Sequence, residues 1–85
     1  MANRREEIKA ELIESIKAEI GVDPGDIQED TRFDSLEINS LDAFNIFGDL
    51  EDRFNVELAY EDLEKIKTMR DAIDAFEQLI DKQKD

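Results

Sequence analysis

Apolar residues in this chain recur at every third or fourth position in separate stretches, and nowhere do they alternate with the period of a strand. Residues 4–20 place Ile8, Leu12, Ile13, Ile16 and Ile20 on one stripe, with charged residues filling the rest, which predicts an amphipathic helix. Gly21 stands where a C-terminal cap belongs, and Asp23-Pro24-Gly25-Asp26 is turn chemistry that cannot continue a helix. A second periodic run, Leu41, Phe44, Ile46, Phe47, Leu50 and Phe54, predicts a helix over 41–54, with Ser40 as its N-cap and Asn55 as its stop. Tyr60, Leu63 and Ile66 fit a short third helix, partly 3₁₀ in character. Thr68 followed by Asp71 resembles a capping box and opens a last helix carrying Met69, Ala72, Ile73, Phe76, Leu79 and Ile80, with residues 82–85 frayed. Between Gly21 and Asn39, Val22, Ile27, Phe33 and Leu36 follow no period, yet they are too hydrophobic for a free linker. That loop should be pinned to the core. The expected fold is all-α: a four-helix bundle with a short third helix and a long loop between helices 1 and 2, forming one domain over residues 1–85.

The residue types that are missing narrow the function. With no Cys and no His, the chain has no disulfide, no thiolate or imidazole metal ligand and no His base, so Ser-His-Asp, Cys-His and zinc-hydrolase arrangements are excluded. Carboxylate, Lys or Tyr chemistry remains, and 85 residues can hardly enclose it in a pocket. A carrier or binding module is expected, not an enzyme. No run of about 18 apolar residues or signal-like core is found, so the chain is expected to be cytoplasmic, off the membrane and monomeric. Eleven Lys and Arg against 24 Asp and Glu give a net charge of −13, which repels nucleic acid and attracts basic protein surfaces. Between Gly21 and Tyr60 the only cations are Arg32 and Arg53, so the middle of the chain is the expected contact region.

The second helix has two faces. At about 100° per residue, Ala43, Ile46, Phe47, Leu50 and Phe54 share one sector, which is core. The opposite sector gathers Leu41, Asn45, Gly48 and Asp52, flanked by Asp42, Asp49 and Glu51. A small apolar strip rimmed by acids can desolvate against a partner while the rim steers it, whereas a solvated face with one stray Leu is the plain alternative.

The run Asn39-Ser40-Leu41-Asp42, opening a helix that ends near Leu50-Glu51-Asp52-Arg53-Phe54 and is followed by Val56-Glu57-Leu58, resembles acyl carrier proteins, whose usual motif is Asp-Ser-Leu. Ile66-Lys67-Thr68-Met69 with Ala72-Ile73-Asp74 resembles the family's approach to its last helix, so the likeness spans the whole chain. The resemblance implies that a phosphopantetheinyl transferase moves a covalent 4′-phosphopantetheine arm from coenzyme A onto Ser40, usually with magnesium, and that acyl groups ride as thioesters on the arm's thiol. A hydroxyl at a helix N-terminus suits this, since unpaired N–H groups there favour a phosphodiester. The ordinary alternative is an N-cap contributing about 1 kcal/mol. The resemblance further implies partner recognition through Leu41, Asp42, Asn45, Gly48, Asp49, Glu51 and Asp52, and an acyl-chain pocket lined by Ile46, Phe47, Leu50, Ile66, Ile73 and Phe76. Those last residues have packed core as their ordinary role, and Phe47, Phe54 and Phe76 could instead fill the space.

A decoy is present, because Asp34-Ser35-Leu36 matches the tripeptide literally. Register rejects it: no sustained helical period follows Ser35 until Leu41, whereas Ser40 stands directly before one. Departures from the family are also visible. Glu37-Ile38-Asn39 replaces the frequent Gly-Ala-Asp, Asn45 stands where Glu is common, and Gly48 where a larger apolar residue is common. These point to a specialised carrier for a lipid or secondary-metabolite pathway, served by acyl-loading and acyl-transfer enzymes with basic surfaces. Gly48 inside a helix costs about 1 kcal/mol relative to Ala, so a partner's close approach, local flexing or tolerance should account for it. The alternatives are a peptidyl or aminoacyl carrier and an unmodified carrier-like interaction module. A calcium-binding protein fails, because neither Asp23 to Asp34 nor Asp42 to Arg53 supplies the EF-hand set of ligands.

Overall fold

The computed structural model describes residues 4–21 and 27–83, so the predicted turn at Asp23-Pro24-Gly25-Asp26, together with Val22, lies outside the described residues. Helix α1 (Arg4–Ile20) ends at Gly21, whose φ of 76° and N–H donated to the Lys17 carbonyl at 2.9 Å are those of a left-handed cap. Helix α2 (Ser40–Phe54) ends at Asn55, also left-handed, where the Val56 N–H reaches back to the Glu51 carbonyl at 3.0 Å. Helix α3 (Tyr60–Leu63) is one turn of α-helix, and the i→i+3 bonds that follow it, from Lys65 to Asp62 and Ile66 to Leu63, give it the expected 3₁₀ exit. Helix α4 (Met69–Gln83) starts at a reciprocal cap: the Asp71 N–H donates to Thr68 Oγ1, and the Thr68 N–H donates to Asp71 Oδ2, each at 3.2 Å. It runs through Lys82 and Gln83, past the expected point of fraying, and Gln83 Nε2 donates to the Asn55 carbonyl. The four-helix, all-α expectation holds among the described residues.

Packing follows the predicted stripes. Ile8, Leu12 and Ile16 of α1 are fully buried between α2 and α4, meeting Ile46, Phe47 and Leu50 from one and Met69, Ala72, Ile73 and Phe76 from the other. Ile13 and Ile20, at the edge of the α1 stripe, are only half-buried. The loop between α1 and α2 contributes Ile27, Phe33 and Ile38 to this core, so it is pinned as its composition requires. Backbone pairing fixes it as well. Arg32 and Thr68 form an antiparallel bridge, and the Met69 and Arg70 N–H groups donate to the Thr31 and Glu29 carbonyls at 3.0 and 2.7 Å. Two orphan donors at the start of α4 are thereby satisfied by the loop. No helix among the described residues is long and apolar enough to cross a membrane.

The charged end of α1 ties this frame together. Arg5 donates to Asp74 at 2.5 Å, to Glu77 at 3.2 Å and to Glu29 at 2.8 Å, bridging α1, α4 and the loop, while Arg4 pairs with Asp81. Arg53 meets Glu11 at 2.8 Å as an ion pair without hydrogen-bond alignment. The Arg5 guanidinium holds the Glu29 carboxyl below its ordinary range, chiefly through their hydrogen bond. A carboxyl whose value is depressed on folding adds stability that is fully present above its unfolded value and is lost as the pH falls through the folded one. The stability gap between wild type and Arg5→Met, read by urea unfolding, is therefore expected to be constant near neutral pH and to close as the pH falls below about 4.5.

Candidate functional site

The start of α2 differs from the sequence expectation by one residue. Asn39, not Ser40, is the N-cap: its Oδ1 accepts from the Asp42 N–H at 2.8 Å, and its carbonyl accepts from the Ala43 N–H at 2.9 Å. An amide oxygen caps a helix as well as a hydroxyl does, and Asn39 has the extended backbone (φ −85°, ψ 177°) that a cap requires. Ser40 becomes the first helical residue. It is exposed, its Oγ has no hydrogen-bond partner among the described residues, and the Ser40 and Leu41 N–H groups beside it are likewise open.

The approach to Ser40 is set by a 3₁₀ turn, Asp34–Leu36, that the sequence did not reveal. It is closed by Glu37 in the left-handed conformation (φ 60°), which costs an L-residue roughly 1–2 kcal/mol. Glycine carries no such cost, so a glycine at position 37 would suit this backbone better than Glu37 does. Ile38 then turns inward and is buried, which anchors the segment immediately before the serine. Ser35 sits within the turn, where its Oγ donates to the Arg32 carbonyl at 2.7 Å and the Arg32 guanidinium holds neighbouring Asp34 with bonds of 3.1 and 3.2 Å.

Ser40 stands at the mouth of a hollow of about 790 Å³ between α2 and α3. Its walls are Leu41, Ala43, Phe44 and Phe47 of α2, Tyr60 and Leu63 of α3, and Glu64, Ile66 and Lys67 beyond. Leu41, Phe44 and Tyr60 are the large apolar residues left most open, at 69, 57 and 71% exposure, and all three border this hollow. Of the six residues expected to line an acyl-chain space, Phe47 and Ile66 reach it. Ile46, Leu50, Ile73 and Phe76 lie in the core, where Phe47 meets Phe33 edge-on at 5.6 Å and Phe76 at 6.2 Å. Sequence reasoning missed Phe44, Tyr60, Leu63 and Lys67. Phe44 could have been found, since it belongs to the periodic run yet falls outside the core sector. Tyr60 could not, because one helical turn has no readable face.

The expected recognition residues divide. Leu41 flanks the serine hollow and Asp42 sits half-buried in the first turn, whereas Asn45, Gly48, Asp49, Glu51 and Asp52 line a second hollow together with Phe44, Val56 and Glu57. Phe44 forms the ridge between the two. Asn45 donates to Glu19 of α1 at 3.0 Å, and Glu51 accepts from the Leu58 N–H at 2.8 Å, so both also serve the fold. A Cβ added at Gly48 would meet nothing within 4 Å. Gly48→Ala should therefore raise stability by about 1 kcal/mol, the helix-propensity difference, as a higher urea midpoint with unchanged slope.

A family profile described as "Phosphopantetheine attachment site" matches residues 10–76. The acyl carrier protein of Myxococcus xanthus is 37% identical over 71 residues, covering 82% of this chain and 90% of that one. That of Micrococcus luteus is likewise 37% identical over 71 residues, covering 82% of this chain and 88% of that one. The crystal structure of an acyl carrier protein from Thermotoga maritima superposes with a TM-score of 0.87 at 24% identity over 94% of each chain, which establishes the shared fold. The chain belongs to the acyl carrier protein family, whose prosthetic group is a covalent 4′-phosphopantetheine.

Proposed function

We propose that Ser40 receives the phosphopantetheine arm and that the protein acts as a carrier with no catalysis of its own, presenting acyl groups to the enzymes of a lipid or secondary-metabolite pathway. The observation that carries this reading is the Ser40 hydroxyl: exposed, opening α2, and relieved of capping duty by Asn39. The arm supplies the thiol on which acyl groups are carried, a sulfur that a chain without Cys does not provide. This chain's own residues would hold the group. The open Ser40 and Leu41 N–H groups at the positive end of α2 would favour a phosphodiester on Ser40, as would Lys67, which lines the adjoining hollow. Leu41, Phe44, Phe47, Tyr60 and Leu63 offer apolar surface along which an arm and its cargo would lie. Partners would be a phosphopantetheinyl transferase and acyl-loading and acyl-transfer enzymes whose basic surfaces answer a net charge of −13 on a monomeric, cytoplasmic carrier.

Incubation with coenzyme A and a broad-specificity phosphopantetheinyl transferase is expected to add the mass of one arm per chain, read by intact-mass spectrometry. No gain would leave the protein as an unmodified interaction module. Asn39, Asn45 and Gly48 support a specialised pathway over general fatty-acid synthesis, a reading that equal turnover by general elongation enzymes would refute. The heavy acidity and the Leu41-Asp42 pair favour acyl over peptidyl cargo.

A further inference from the structure

The asparagines among the described residues, Asn39, Asn45 and Asn55, differ in how firmly the fold holds them. Asn45 lies inside α2 and donates to Glu19 at 3.0 Å, and the residue after it, Ile46, is buried and β-branched. Asn55 is followed by Val56, also β-branched, whose N–H is committed to the Glu51 carbonyl at 3.0 Å. Asn39 is exposed at the very start of α2, and the residue after it is the small, exposed Ser40. A nucleophile, an activated carbonyl and a leaving group meet there. The Ser40 N–H has no acceptor among the described residues. Asn39 Oδ1 accepts the Asp42 N–H at 2.8 Å at the positive end of α2, which draws electrons from Cγ and would stabilise negative charge developing on that oxygen. Asn39 Nδ2 has no hydrogen-bond partner among the described residues.

We infer that Asn39 is a self-modifying site, converted to aspartate and isoaspartate through attack by the main chain beside it. The Ser40 nitrogen gives up its proton to water or hydroxide and bonds to Asn39 Cγ. The Cγ–Nδ2 bond breaks, and Nδ2 takes a proton from water and leaves as ammonia, closing a five-membered succinimide. Water then opens the ring at one of two bonds. Cleavage between Cγ and the Ser40 nitrogen gives aspartate, and cleavage between the main-chain carbonyl carbon and that nitrogen gives isoaspartate. One water is consumed and one ammonia released overall, with no oxidant or reductant. Ring closure requires rotation about the Asn39 Cα–C bond away from its ψ of 177°, which opens the first-turn bond from the Ala43 N–H and leaves the rest of α2 in place. The two products differ at the serine. Aspartate keeps an oxygen for the Asp42 N–H and adds a charge that the positive helix end favours. Isoaspartate inserts a methylene into the main chain between the buried Ile38 and Ser40, which displaces the hydroxyl. The segment that presents Ser40 thus changes with the age of the protein.

The test incubates the full chain at mildly alkaline pH and follows the amide-to-acid mass gain by peptide mapping. Asn39 is expected to convert at least about tenfold faster than Asn45 or Asn55, and no more than about threefold more slowly than in the same chain held unfolded in guanidinium chloride. The rate should fall at mildly acid pH, where the Ser40 nitrogen gives up its proton less readily. Asn39→Gln, whose ring would need a sixth member, should abolish the gain at this position. Asn39→Asp should raise the urea midpoint above wild type, whereas the isoaspartate fraction, separated by chromatography, should fall below it. A folded chain that keeps Asn39 intact while the unfolded chain converts would overturn the proposal, because the cap bond would then be shielding the amide. Conversion confined to Asn45 or Asn55 would do the same. None of these readouts involves arm attachment, so failure of the carrier reading would leave the site standing.

Discussion

Ser40→Ala will take up no phosphopantetheine arm, whereas Ser35→Ala will gain one like wild type. Both serines precede a leucine and both are exposed, so neither the tripeptide nor accessibility separates them. Engagement does. The Ser35 hydroxyl already donates to the Arg32 carbonyl at 2.7 Å within a three-residue turn, and Asp34 beside it is held by the Arg32 guanidinium. The Ser40 hydroxyl has no partner among the described residues and opens a helix of 15 residues, whose first N–H groups give a lasting positive end. Folding cannot explain the expected loss, because Ala at an exposed first-turn position should change stability by no more than about 0.5 kcal/mol. Ser35→Ala forfeits one hydrogen bond, about 1 kcal/mol, and so serves as the more severe structural control. Intact mass after transferase treatment, with a urea midpoint on each variant, reads both effects. An arm retained by Ser40→Ala would move the attachment site and sink the assignment.

Much of this arrangement was legible because helical period and core burial are the same signal. Ile8, Leu12, Ile16, Ile46, Phe47, Leu50, Ile73 and Phe76 declared themselves by spacing and are all buried. Chain punctuation was equally readable, since Gly21, Asn55 and the Thr68–Asp71 pair cap their helices through local bonds that their own side chains or left-handed backbone specify. What spacing could not decide was a competition between neighbours. Asn39 and Ser40 are both good caps, and the choice depends on where the preceding loop delivers the chain. That delivery is fixed by the left-handed Glu37 and the buried Ile38, two features with no periodic trace. The hollow beside Ser40 was hidden for a similar reason. Its far wall, Tyr60 and Leu63, is placed by tertiary packing of a single helical turn, which a helical wheel drawn on α2 alone cannot contain. The Arg5 bridge to Asp74, Glu77 and Glu29 joins residues far apart in the chain and has no sequence signature at all.

Phe47→Ala is expected to cost about 3–5 kcal/mol, the range for truncating a fully packed aromatic. Phe47 is 2% exposed and touches two other rings, meeting Phe33 of the loop edge-on at 5.6 Å and Phe76 of α4 at 6.2 Å, so one side chain joins three parts of the fold. Against a total stability of about 5–15 kcal/mol for a domain, such a loss removes a large share. The contrast lies on the same helix: Leu41 and Phe44 are 69 and 57% exposed, and their replacement by Ala should shift stability by about 0.5 kcal/mol or less. Urea titrations of the three variants would show one midpoint falling steeply and two nearly unmoved. A small loss for Phe47→Ala would mean that the loop and α4 hold together without the ring, and the core as described would be wrong. A consequence for the site follows from the same residue, because Phe47 is both the centre of the ring stack and a wall of the hollow beside Ser40. Removing it would join that hollow to a void in the core. The hollow beside Ser40 would then lose its rigid floor, the surface along which the proposed arm and cargo would lie.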